Sequence, residues 1–272
     1  MGYSLGIVKP IGKVLYPNKD GYFVNTTDLD IPLQQDWQQP VRLCVQEIQK
    51  QFPNMIHSIY VRGSVAQRTA IAGVSDIDLT VVTKKDVGMS YWVNRAFVQK
   101  IREQYSQVDD IEFALITYNK LMYSKLPIGV RVVLKLHGRC MAGESIISKL
   151  PKVKADATSF IHIPVFSNVQ KGIAYTLNAE NVFLPAYIPW VAKRYIRTGF
   201  ELCIAREQVF TRDLYPCYEI FSKYYPGKEN EMYKVLEQAI RPTWSQSQLL
   251  GCVNTLGDWL ELEIKKQYPK YI

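Results

Sequence analysis

No C-x-x-C pair, no uninterrupted apolar stretch of the roughly 20 residues that span a bilayer, and no block of lysines or arginines occurs in the sequence. Each absence removes a class. The cysteines (Cys44, Cys140, Cys203, Cys217, Cys252) are odd in number and scattered, and His57, His137 and His162 lie far apart, so neither a zinc site nor a disulfide framework is expected. Reduced, buried thiols are the expectation instead. The missing apolar run leaves no membrane partner to expect. Lys9, Pro10, Lys13 and Pro17 break up the apolar residues of the first 22, so no signal-peptide core is read there and a cytoplasmic location is expected. The missing basic block leaves no arm or tail of the nucleic-acid-binding type. Tyr225-Pro226-Gly227-Lys228 has a Gly-Lys step but not the glycine spacing of a phosphate-binding P-loop, and reads as a turn.

What is present is globular text. Of 272 residues, 47% are hydrophobic and 21% charged, with a net charge of +8 and a pI near 9.1. That balance favours anionic ligands such as nucleotides and leaves nucleic acid open as a partner. Residues 1–30 read as a short lead-in with a turn at Asn18–Gly21. Residues 31–150 alternate helix and strand: a helix over 36–52, a strand at 56–62, a short helix or turn from Ser64, a strand at 77–83, a helix over 88–104, a strand at 110–117 and a fourth strand at 130–136. Residues 151–272 are ambiguous as far as Phe183 and helical beyond Pro189, over 190–208, 212–225, 229–240 and 246–267. The spacing makes Tyr215, Tyr218, Tyr224, Tyr225 and Tyr233 core or interface residues. The fold class is therefore α+β, a mixed sheet with helices followed by an all-helical region.

One segment carries chemistry: Arg62-Gly63-Ser64, then Ser75-Asp76-Ile77-Asp78-Leu79. Residues i and i+2 of a strand share a face, so Asp76 and Asp78 project together while Ile77 and Leu79 turn to the core. Two neighbouring carboxylates repel, and a hard divalent cation such as Mg²⁺ relieves the repulsion. Gly63-Ser64 falls where a strand turns into a helix, and bare backbone N–H groups there can hold a phosphate. Phosphoryl-type transfer also needs a group to deprotonate the attacking hydroxyl. Glu112, set in the apolar run Ile111–Thr117, is the first choice for that third carboxylate, as ligand or general base, because a carboxylate so deep in apolar text needs a partner. Asp110 is the second choice.

The Gly-Ser … Ser-Asp-x-Asp segment resembles the signature of the polymerase-β-type nucleotidyltransferase superfamily. Within it the chain is most similar to the aminoglycoside nucleotidyltransferases (adenylyltransferases) and their uncharacterised relatives. Ile111–Ile116 resembles the strand carrying that group's third carboxylate, Leu134–Glu144 the segment closing its catalytic domain, and a helical region with Arg197-Thr-Gly199 and Thr211-Arg212-Asp213 follows. The resemblance implies a catalytic domain over 31–150 and a helical domain over 151–272. It implies that Gly63 and Ser64 contact the triphosphate and that Asp76, Asp78 and Glu112 form the catalytic and metal-binding set. Arg197 and Arg212 would close over the phosphates, with Lys193 behind them. One departure from the pattern matters: many relatives continue Gly-Ser-x-Ala-Arg-Gly, whereas here the segment reads Gly63-Ser64-Val65-Ala66-Gln67-Arg68, with arginine in place of the last glycine.

The expected activity is transfer of a nucleoside monophosphate, AMP from ATP, to an acceptor hydroxyl, with Mg²⁺ (or Mn²⁺) as cofactor. An aminoglycoside-like acceptor would need an acidic recess, to which Glu112, Glu180, Glu201, Glu207, Asp213 and Glu219 are the candidates. The alternatives are transfer to an RNA end or a protein side chain, as in toxin-like relatives, and a nucleotide-binding module without catalysis.

Overall fold

Ile56–Arg62 and Ile77–Thr83 are short runs rich in β-branched residues, and these become the two central strands of a four-stranded sheet. The structure, a computed structural model, describes residues 8–25, 27, 31–73, 75–87, 95–124, 128–178 and 182–271. Two compact units divide the chain: Val24–Val153, and Lys154 onward together with the residues before Val24. Among the described residues no helix is long and apolar enough to cross a membrane.

A two-residue strand, β1 (Tyr22–Phe23), comes first in the chain. The sheet unit then begins with α1 (Gln35–Gln51), whose Trp37, Val41, Cys44, Val45 and Ile48 fall on one buried stripe. Strand β2 (Ile56–Arg62), the one-turn helix α2 (Gly63–Ala66) and strand β3 (Ile77–Thr83) follow. Helix α3 (Arg95–Gln104) precedes β4 (Ile111–Thr117); the part of its expected span over 88–94, including Trp92, lies outside the described residues. Helices α4 (Tyr118–Tyr123) and α5 (Ile128–His137) lead to β5 (Arg139–Gly143). The sheet order is β4-β3-β2-β5, antiparallel except for the parallel pair β3/β4. The mixed sheet agrees with the reading of the sequence.

Each strand divides its side chains between two cores. Ile59 and Val61 of β2, Ile77, Leu79 and Val81 of β3 and Ile111 of β4 pack with α1 and with Ile101 of α3. Tyr60, Val82 and Ile116 pack on the opposite side with Leu121, Leu134, Ile146 and Leu150. Tyr60 is fully buried and its hydroxyl accepts the Ile146 N–H at 2.8 Å, which satisfies the one polar atom of that ring.

The fourth strand is not where the sequence predicts it. Val130–Leu136 lies within helix α5, and the strand is Arg139–Gly143 instead. A short apolar run does not distinguish a buried strand from a buried helix. Here the helical spacing decides: Val133, Leu134 and His137 share a buried side. The Lys135 ammonium reaches off that side to donate to the Ile147 carbonyl at 2.8 Å.

In the second unit, Lys154 of β6 (Val153–Lys154) lies 4.8 Å from the ring of Tyr22 in β1. Helices α6 (Phe166–Leu177) and α7 (Leu184–Glu201), the single turn α8 (Ile204–Glu207), α9 (Leu214–Tyr224) and α10 (Glu229–Ile240) follow. The helix expected over 190–208 thus starts earlier and breaks at Leu202-Cys203. The helix expected over 246–267 is interrupted too. It runs as α11 (Gln246–Cys252), a π-helical turn (Val253–Gly257) and α12 (Asp258–Gln267). The cause is Gln170 of α6, whose amide donates to the Val253 carbonyl at 2.9 Å and takes the place of a regular helical bond. Gly257 makes room for it, since a β-carbon there would collide with Gln170 and with the Tyr195 hydroxyl.

The amino-terminal segment belongs to this helical unit. Leu15 and Phe210 exchange backbone hydrogen bonds at 2.7 and 2.9 Å, Asp213 accepts the Lys13 N–H at 2.7 Å, and the Thr211 hydroxyl donates to the Lys13 carbonyl at 2.7 Å. The tyrosines pack as expected. Tyr218 meets Tyr215 at a tilt and Tyr233 in a T-shape, and Tyr225 stacks on Phe221 and meets Trp259 in a T-shape. The five cysteines are free thiols, and Cys44, Cys203 and Cys217 are buried.

Candidate active site

The end of β2 sets the geometry. Arg62 is extended, and Gly63 then takes a φ of +71°, a region that side chains disfavour. A β-carbon on Gly63 would run into Asp78 Oδ2, so only glycine lets the turn come this close to the carboxylate. The turn continues as α2, and Ser64 accepts the Thr69 N–H at 2.9 Å through its carbonyl, leaving its side chain half-buried beside the turn.

The loop back to β3 is held at several points. Gln34 forms a double hydrogen bond with Ala70, accepting the backbone N–H at 2.9 Å and donating to the carbonyl at 3.2 Å. The Ser75 hydroxyl accepts the Ile71 N–H at 2.9 Å, and its carbonyl accepts the Asp109 N–H at 3.2 Å. Asp76 is thereby set, half-exposed, at the entry to β3. Within the same loop Arg68 has a φ of +59°, so the backbone keeps the glycine-like conformation although the glycine of the relatives is gone. Its side chain is exposed.

Register now gathers three charges. Arg62 is the partner of Asp78 across β2/β3, and Asp78 is the partner of Glu112 across β3/β4. All three share the face of Tyr60, Thr80 and Ile116, where two carboxylates would otherwise stand side by side. The Arg62 guanidinium joins them: Nη1 lies 2.9 Å from Asp78 Oδ1 and Nη2 lies 3.7 Å from Glu112 Oε2. Glu112 is 62% exposed, not sunk in the core as its apolar neighbours suggest, because β4 is the edge strand and Glu112 is its second residue. Asp110 is held elsewhere. Its carboxylate accepts the Ile111 N–H at 2.8 Å, and it lines a cleft of about 470 Å³ with Arg95, Arg102 and Phe113. Arg62 adjoins the Gly63-Ser64 motif without a role of its own in the sequence pattern. Its parity with Tyr60 and Ser58 along β2 is the signal that could have placed it on the carboxylate face.

Among the described residues no three His, Cys, Asp or Glu side chains are gathered into a metal cage. The donor chemistry nevertheless suits a hard cation. Asp78 and Glu112 offer oxygen ligands from neighbouring strands, Asp76 stands two residues upstream, and the pair already draws a positive group onto itself in Arg62.

Arg197 and Arg212 lie in the helical unit. The Arg197 Nε donates to the Arg212 carbonyl at 3.2 Å, and both line a cavity of about 10 Å³ with His162, Glu201 and Thr211, room for about one water. Glu201 is 3% exposed and accepts the backbone N–H groups of Ile161, His162 and Ile163 at 2.9 to 3.0 Å. Burial raises its carboxyl to about 7, against the opposing pull of those three donors and of Arg212. Burial, with Arg212, Arg197 and Arg194 nearby, pushes His162 well below its ordinary range, so the ring is neutral. Of the acidic candidates, Glu207 accepts from Lys223 and from the Tyr224 hydroxyl, both at 2.7 Å. Asp213 accepts from Lys13, and Glu180 lies outside the described residues.

No family model matches the sequence, and no curated protein sequence matches it. A solved structure does. Spectinomycin adenyltransferase AAD(9) from Enterococcus faecialis, in a crystal structure with ATP and spectinomycin, is similar over 82% of this chain and 98% of its own, with a TM-score of 0.50 and 13% sequence identity. A mixed sheet with helices followed by a helical region is common to both, and this chain therefore has the fold of that adenyltransferase.

Proposed function

We propose that the protein is a Mg²⁺-dependent nucleotidyltransferase that moves AMP from ATP to an acceptor hydroxyl. The observation that supports this best is the row Gly63 turn, Asp78, Glu112, in which glycine geometry and strand register meet on one face of the sheet. The backbone N–H groups at Gly63 and Ser64, with the Ser64 hydroxyl, would hold the triphosphate by hydrogen bonds to its oxygens. Asp76, Asp78 and Glu112 would hold Mg²⁺, which neutralises charge on the phosphoryl oxygens. Glu112, the most exposed of the three charges in the row, would also accept the proton of the attacking hydroxyl. Arg197 and Arg212 are the further phosphate-binding candidates that the resemblance offers. ATP, Mg²⁺ and free thiols suit a cytoplasmic setting.

For the acceptor, a small hydroxyl compound is the first reading, as in the spectinomycin enzyme. Glu201, Glu207 and Asp213 are engaged in internal hydrogen bonds, so they offer little to a polycation. An RNA end is the second reading, favoured by the net charge of +8. The test is transfer of labelled AMP from ATP to aminocyclitols, aminoglycosides and short RNAs, in wild type and Asp78→Asn. Loss of about 100-fold or more in Asp78→Asn is expected. Equal turnover of the two would refute the assignment, and ATP binding without pyrophosphate release on any acceptor would leave a binding module.

A further inference from the structure

Arg62 lies outside the residues that the resemblance assigns to the site, yet it is the group through which the carboxylates are joined. We propose that Arg62 is a resident counter-cation, a positioning residue that holds Asp78 and Glu112 before substrate arrives and weakens the site's hold on free divalent metal. This deepens the proposed function, since it takes the carboxylate row to be the metal-binding set.

Three observations support it. Arg62 and Asp78 are register partners, so their ion pair is built into the ladder rather than made by two wandering side chains. The side chains of Arg62 and Asp78 are only 21% and 22% exposed, which limits screening by water and salt. The same guanidinium also reaches toward Glu112, so one group offsets both negative charges. A cation seeking Asp78 Oδ1 must displace the guanidinium or share the oxygen with it.

The competition has a direction. Metal alone exchanges one ion pair for another and gains little. A metal arriving with a triphosphate brings new anionic oxygens to the Gly63–Ser64 turn, next in sequence to Arg62. The planar fork of the released guanidinium fits phosphate as well as it fits carboxylate. Metal and nucleotide would therefore load together, and the nucleotide-free protein would hold its carboxylates without metal.

Mn²⁺ binding to the nucleotide-free protein, followed by electron paramagnetic resonance or calorimetry, tests this without turnover or an acceptor. Arg62→Gln should bind Mn²⁺ about threefold to fivefold more tightly than wild type, the scale of one partly exposed ion pair removed. It should also show a larger rise in Tm on adding Mg²⁺. Adding Asp78→Asn to Arg62→Gln should abolish the gain. Arg62→Lys, whose ammonium cannot bridge both carboxylates, should tighten Mn²⁺ binding by a smaller factor, about twofold. A folded Arg62→Gln that binds Mn²⁺ no more tightly than wild type overturns the proposal, as does a gain that survives Asp78→Asn. If Arg62→Gln does not fold, an Arg62→Lys affinity equal to that of wild type overturns it. Failure of AMP transfer would count against the proposed function and leave these binding outcomes unaffected.

Discussion

Gly63 and Asp78 are fitted to each other: the turn passes so close to the carboxylate that a single added carbon on Gly63 would occupy the place of Oδ2. Gly63→Ala therefore carries two penalties, a left-handed φ of +71° for a residue with a side chain and a displaced Asp78. The first alone costs roughly 1–2 kcal/mol. Urea denaturation should show at least that loss, and AMP transfer should fall more steeply than stability, because Asp78 moves. A variant as stable and as active as wild type would show that the turn has room to spare.

Arg68 offers the opposite experiment. It keeps a φ of +59° at a cost of roughly 1–2 kcal/mol, while glycine would lose roughly 0.4–1 kcal/mol to the greater freedom of the unfolded chain. The balance favours glycine. Arg68→Gly should raise unfolding free energy by up to about 1 kcal/mol in chemical denaturation. A clear loss of stability would mean that the exposed Arg68 side chain makes an interaction that outweighs its backbone strain.

Glu201 makes stability depend on pH. Its folded pKa of about 7 is above the ordinary 4.5, so the folded state holds the proton more tightly than the unfolded chain does. The resulting stabilisation is full below 4.5 and is lost as pH rises through 7, with a ceiling on the order of 3 kcal/mol. His162 acts in the other sense: its folded pKa is depressed, so its contribution is present above its ordinary value of 6.5 and is lost as pH falls below that. Both effects overlap in the wild type. The difference in unfolding free energy between wild type and Glu201→Gln, measured from pH 4 to 8, cancels the histidine and should fall with rising pH across that window. A difference that does not change with pH would show that the Glu201 carboxyl binds its proton equally well in the folded and unfolded chain, and one that rises with pH would show that the three N–H donors hold it ionised.

Much of the sheet is legible in the sequence because its central strands are short apolar runs rich in β-branched residues. Ile77, Leu79 and Val81 alternate with Asp78 and Thr80, and β3 appears at Ile77–Thr83 as read. Val130–Leu136 fails for a physical reason: a helix buried on one side, with only Arg131 and Lys135 to mark the other, has little polar text to reveal its period. The π-helical turn is invisible for another reason, since it depends on Gln170, far away in sequence, reaching the Val253 carbonyl. At the site, Gly63, Asp78 and Glu112 can be aligned by alternation once the strands are known. The exposure of Glu112 cannot, because which strand lies at the edge is a matter of pairing order. The Arg62 bridge is readable only from the register, and the Arg197–Arg212 contact only from the packing of the helical unit.

The hydrogen bond from Lys13 to Asp213 joins residues 200 positions apart, and both ends lie in the same unit. On the ribosome this unit stays incomplete until Phe210 and Asp213 emerge, while everything that Val24–Val153 needs has already been made. Lys13 and Leu15 must wait for Asp213 and Phe210 through the synthesis of an entire intervening unit. Such distant closure slows assembly. Refolding of the whole chain should therefore show the pairing of Leu15 with Phe210 forming after the sheet of Val24–Val153.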